Sequence, residues 1–155
     1  MSEKTNVMRI LDKKNIKYKS YTYKEKGAIS GREVARYLNQ NENQVFKTLV
    51  TVGKSKEHYV FVIPVNKELD LKKAAKSVGE KSINMIKEKE LLPLTGYVHG
   101  GCSPIGMKKL FTTVVDITSE EFDTFIFSAG KVGYQVEVKI NDLKKVIKFK
   151  LEDIV

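Results

Sequence analysis

The sequence predicts a mixed α/β domain. Helical and extended patterns alternate along the chain, two extended runs meet at a short polar turn, and 155 residues with 41% hydrophobic content suffice for one core and hardly for two. A single domain over residues 1–155 is expected. No internal repeat, low-complexity tract or linker interrupts it.

Thr5 can cap a first helix whose apolar positions Val7, Ile10 and Leu11 fall at helical spacing. This helix could be a loosely docked appendage. Tyr18 to Tyr23 reads as a strand. Ser30 and Glu33 have capping-box spacing, and Val34, Ala35 and Leu38 supply the buried stripe of a second helix ending near Asn39. Val45 to Val52 and Tyr59 to Val65, joined through Gly53 to Glu57, fit a hairpin. Asp70 caps a third helix with Leu71, Ala74, Ala75 and Val78 on one face and Gly79 as its stop. Its Lys72, Lys73 and Lys76 suit either nucleic-acid contact or simple solvation. After the short Lys87 to Leu92 segment, Pro93 and Gly96 break the pattern. Strands are expected over Thr112 to Ile117, Phe122 to Ser128 and Tyr134 to Ile140, and Asn141 can cap a last helix through Ile147.

Composition limits the function classes. No apolar run approaches the roughly 20 residues of a bilayer span, and Met1 to Asp12 alternates polar with apolar residues unlike a signal peptide. The expected compartment is the cytoplasm, with no membrane partner. Cys102 is the single cysteine and the histidines number 2, His58 and His99, so no zinc set is evident. The net charge of +9 biases partners toward nucleic acid or an anionic surface, although lysines spread along the chain also serve solubility.

Three segments carry chemistry. In Phe46-Lys47-Thr48-Leu49-Val50 a lysine interrupts an apolar strand, on the face opposite Phe46; it is either the polar half of a one-sided strand or a cation facing a cleft. The loop Gly100-Gly101-Cys102-Ser103-Pro104-Ile105-Gly106 can bring backbone N–H groups close to an anion, or simply turn. It lacks the Walker and Rossmann glycine patterns. Ser128-Ala129-Gly130-Lys131-Val132-Gly133 is a second anion-site candidate or a hairpin turn.

These segments, with Leu71-Lys72-Lys73-Ala74-Ala75-Lys76-Ser77-Val78-Gly79, Thr95-Gly96-Tyr97 and Ser103-Pro104-Ile105-Gly106, resemble in order and spacing the YbaK/EbsC family, related to the editing domain inserted in bacterial prolyl-tRNA synthetases. The resemblance runs from about Val7 to Val155. It implies a mixed, strongly curved, barrel-like β-sheet flanked by helices, with a pocket for the aminoacylated 3′ end of tRNA. It further implies a deacylase that removes a wrongly attached amino acid, with Cys-tRNA(Pro) as the characteristic substrate and the substrate's own thiol attacking its ester. The alternatives are Ala-tRNA(Pro) or another small aminoacyl-tRNA, or a tRNA-binding module without catalysis. Partners implied are aminoacyl-tRNA and, transiently, prolyl-tRNA synthetase, but not DNA; no cofactor or metal is called for.

Residue by residue, Lys47 matches the family's essential lysine, Gly100 and Gly101 its backbone wall beside the scissile ester, Ser128 its pocket serine and Tyr23 its early pocket tyrosine, with Tyr18 and Tyr21 close by. Phe46 would line the same cavity and Lys131 would contact substrate. Relatives carry a second basic residue where Val132 stands and an aliphatic one at Cys102. A nucleophilic Cys102, its pKa depressed by loop N–H groups, is the competing reading; the other is a small hydrophobe.

Overall fold

Helix α1 (Asn6–Lys13) begins where Thr5 Oγ1 accepts from the Met8 N–H at 3.3 Å. In the computed structural model, which describes residues 3–155, Val7, Met8 and Leu11 are at most 4% exposed. Helix α1 is therefore part of the core and not an appendage, because its apolar stripe matches the space beside the strands. Met1 and Ser2 of the expected domain lie outside the described residues.

Strand β1 (Lys19–Thr22) leads to α2 (Gly31–Tyr37), where Ser30 and Glu33 form the reciprocal capping box. Strands β2 (Phe46–Gly53) and β3 (His58–Pro64) form the expected antiparallel hairpin, pairing Lys47 with Ile63 and Val52 with His58. Helix α3 (Leu71–Val78) is capped by Asp70, which accepts from the Lys72 and Lys73 N–H groups, and ends at Gly79 in the left-handed region. Leu71, expected on the buried face, is instead 41% exposed because it sits in the first turn beside the cap. Lys73 is not a free cation, since its Nζ is held by Asp153 and the Val155 carbonyl.

Two strands have no counterpart in the sequence reading: β4 (Ile83–Met85) and, at the other edge, β8 (Lys150–Glu152). Helix α4 (Glu88–Thr95) continues past Pro93, which the pattern would have made a breaker. Its end is tied by Thr95 Oγ1 donating to the Leu91 carbonyl and the Gly96 N–H donating to the Leu92 carbonyl. Strands β5 (Thr112–Asp116), β6 (Thr124–Ser128) and β7 (Tyr134–Lys139) follow the expected runs. The final helix α5 is only Ile140–Leu143, and Asn141 lies inside it instead of capping it, because β7 runs straight into its first residue. Beyond it, Val146 and Ile147 N–H groups both bond the Leu143 carbonyl, tightening the chain into turns.

The strands divide between two sheets where one barrel-like sheet was expected. A three-stranded antiparallel sheet has the order β1-β7-β6; a five-stranded mixed sheet has the order β4-β2-β3-β5-β8, with β3–β5 and β5–β8 parallel. The described sheets are joined through a single bridge, Val45 to Ile126, and neither closes on itself. The main core lies between them, where Phe46, Val60, Val62 and Val115 meet Phe125, Phe127, Val136 and Val138. Tyr59, Phe61 and Ile63 face the opposite way onto Ala74 and Ala75 of α3. Both faces of β3 are thus covered, which is why its sequence reads as a continuous apolar run.

Candidate active site

At the junction of the sheets the chain encloses a cavity of about 420 Å³ around the first residues of β2. Phe46 is 3% exposed and sets its edge on Phe125, with ring centroids 5.2 Å apart at 87°. The next residue, Lys47, is half-buried in the cavity wall. Its side chain makes no hydrogen bond or ion pair among the described residues. Burial lowers its pKa below the ordinary lysine value, with Glu68 opposing from a distance. A half-buried ammonium in this position favours an anionic or oxygen-rich ligand.

The other sheet supplies Ser128, at the end of β6, whose Oγ accepts from the Gly130 N–H at 3.1 Å. Tyr23, just after β1, is 4% exposed and lines the cavity. Its neighbours are engaged elsewhere: Tyr21 donates to Glu137, and Tyr18 packs near α1 beside Asp12. Gly100 lines the cavity with φ of +86°, a conformation suited to glycine.

Two expected site residues stand apart from this lining. Gly101 lies behind the wall; a Cβ there would come within 3.1 Å of the Val132 backbone nitrogen, so the missing side chain lets the glycine loop seat on the Lys131–Val132 turn. Lys131 projects to the outer side, where its Nζ pairs with Glu3 and lies 5.5 Å from the Tyr134 ring centroid. The turn between Gly130 and Gly133 carries it there, and that ion pair raises its pKa.

Cys102 is in the cavity wall, and burial pushes its thiol up to about 12. The thiol is therefore protonated at neutral pH, opposite to the direction a nucleophile needs. Sequence reasoning passed over Arg32, His99 and Gln135, all of which line the cavity. Arg32 Nε also bonds Glu42 at 2.9 Å. No spacing marks these residues, since α2, the glycine loop and β7 meet only in three dimensions. Among the described residues no Asp or Glu lines the cavity, and no three His, Cys, Asp or Glu cluster as metal ligands. The arrangement can orient an acceptor-rich ligand against a cation and fixed donors without supplying a nucleophile.

The fold and cavity define an α/β protein with a cationic, acid-free ligand pocket between two sheets. Residues 26–146 match the aminoacyl-tRNA editing domain, and the chain belongs to that family. It is 44% identical over 137 residues to EbsC of Enterococcus faecalis, whose proposed activity is deacylation of Cys-tRNA(Pro)/Cys-tRNA(Cys); the match covers 88% of this chain and 84% of that one. A proline–tRNA ligase of Thermodesulfovibrio yellowstonii is 25% identical over 79% of this chain, which spans only 20% of the ligase. A solved structure described as a proposed trans-editing enzyme for prolyl tRNA synthetase superposes with a TM-score of 0.81 at 20% identity, covering 98% of both chains. A hypothetical protein gives 0.84 at 20% identity, covering 97% of this chain and 99% of that one. These two likenesses establish the mixed α/β fold.

Proposed function

We propose that this chain hydrolyses the ester bond of mischarged aminoacyl-tRNA in trans, with Cys-tRNA(Pro) as its main substrate. The observation that carries the reading is Lys47, half-buried in the wall of a cavity shared with Gly100 and Ser128 and without a hydrogen bond or ion pair among the described residues. The 44% identity to EbsC supports the acyl group and the tRNA. Lys47 holds the terminal adenosine or its phosphate and so sets the ester against the Gly100 wall. The cysteinyl thiol attacks the carbonyl carbon; the new C–S bond forms, the C–O bond to the ribose breaks, and the proton lost by the thiol passes to the ribose oxygen. A cyclic thioester leaves. Backbone donors stabilising the oxyanion lower the barrier by about 3 kcal/mol each when well aimed. Gly101 acts through the loop it seats, and Tyr23 and Phe46 shape the pocket. The whole of residues 1–155 works as one unit in the cytoplasm.

The experiment is release of amino acid from cysteinyl-tRNA(Pro), alanyl-tRNA(Pro), prolyl-tRNA(Pro) and a simple amino-acid ester. Preferential release from cysteinyl-tRNA(Pro) supports the reading; faster release from alanyl-tRNA(Pro) makes the smaller acyl group the substrate. Intact esters throughout would leave a tRNA-binding module. So small a chain has little surface for reading a whole tRNA, so prolyl-tRNA synthetase supplies tRNA selectivity by transient association. Adding synthetase is expected to confine hydrolysis to tRNA(Pro); unchanged discrimination contradicts the partnership.

A further inference from the structure

What the pocket reads on its substrate follows from which of its hydrogen-bonding atoms are already occupied, and this inference rests on the deacylase reading above. Gln135 is 5% exposed, lines the cavity, and stands across the β6–β7 ladder from Ser128, so both side chains leave the sheet on the same face. Its Oε1 already accepts one bond, from Gln40 in the turn after α2, which donates through Nε2 at 2.8 Å. Its amide N–H groups make no hydrogen bond among the described residues and are free to donate. Ser128 repeats the pattern, its Oγ accepting from the Gly130 N–H and its O–H left to donate. Lys47 and Arg32 can only donate. With no Asp or Glu in the lining, the described side chains give an ammonium no anionic partner, only neutral acceptors such as Thr48 and His99.

An aminoacyl ester carries both kinds of group. Its ester and ribose oxygens accept, whereas its protonated α-amino group only donates. We propose that Gln135, oriented by Gln40, donates a hydrogen bond to the acyl or ribose oxygens of the substrate, and that the site gives the α-amino group no charged partner, so that N-acylated aminoacyl-tRNAs are also hydrolysed. Gln135 is then a specificity-determining residue and Gln40 a positioning residue.

The test compares cysteinyl- and alanyl-tRNA(Pro) with their N-acetyl forms, using the wild-type protein and then Gln135→Leu, Gln135→Glu, Gln40→Leu and the Gln40→Leu/Gln135→Leu pair. Blocked and free substrates are expected to agree in kcat/KM within about tenfold, whereas an ammonium held by a charged or strong acceptor would favour the free form by more than about tenfold. Gln135→Leu is expected to lower kcat/KM for both forms by about tenfold, the scale of one lost substrate hydrogen bond. Gln135→Glu supplies the missing anionic acceptor and shifts preference toward the free amine. Gln40→Leu lowers activity less, and not at all once Gln135 is Leu, because it acts through that residue. A wild-type preference for the free form beyond about tenfold overturns the inference, as does unchanged kcat/KM in Gln135→Leu. Wild-type release from the free substrates tests the underlying deacylase reading, and release from neither form overturns both. The blocked-to-free ratio tests this inference alone and depends on no variant folding.

Discussion

On the proposed reading, Lys47 shows what a ligand-binding side chain costs the fold. Because burial lowers its pKa, between its folded pKa and the ordinary value of about 10.4 the unfolded chain binds the proton more tightly, and stability rises with pH across that window. Below it the desolvation penalty acts in full. Lys47→Met is therefore expected to raise the thermal unfolding midpoint at pH 7 while destroying activity; calorimetry checks the sign, and a lower midpoint contradicts it. At Cys102 burial keeps the thiol protonated, so Cys102→Ala is expected to retain deacylation within about threefold. Complete inactivity with a normal fold would restore the nucleophile. Strand alternation puts Lys47 opposite Phe46 and, taken alone, favours solvent over a cleft, because what lies beyond a strand face is decided by distant chain.

At the scale of elements, local chemistry was the most legible part. Thr5, Ser30 with Glu33, and Asp70 with Gly79 all perform the capping their spacing suggested, since a cap is satisfied within a few residues. Strands β4 and β8 were invisible because three residues carry no periodicity. The turn glycines show the same limit: their composition permits a turn, but only the fold shows what crowds them. At Gly130, φ is +89° and a Cβ would lie 2.9 Å from Val7 Cγ2 and 3.0 Å from Tyr97 Cε1. Gly130→Ala is expected to cost about 2–4 kcal/mol in urea unfolding, combining backbone strain with overpacking. Gly79, in the left-handed region at φ +73° and ψ 25° with nothing within 4 Å, is the control: Gly79→Ala should cost only the backbone share, about 1–2 kcal/mol. Equal losses at the two sites would refute the crowding argument.

For the whole molecule, one cavity is lined by Tyr23, Lys47, Gly100 and Ser128, a convergence that single-sequence patterns could not supply. Lys131, which the resemblance offers as a substrate contact, lies outside that lining and pairs with Glu3, a placement that sequence matching cannot show. With +9 net charge, kcat/KM on tRNA is expected to fall with salt, by a log–log slope of about −0.7 to −0.9 per phosphate contacted, while hydrolysis of a simple ester stays flat. A flat tRNA response would contradict backbone contact. The most direct measurement is single-turnover release of cysteine from cysteinyl-tRNA(Pro) by wild-type protein and a correctly folded Lys47→Ala variant. A loss of at least about a hundredfold is expected if the ammonium positions the ester; equal rates would contradict the account.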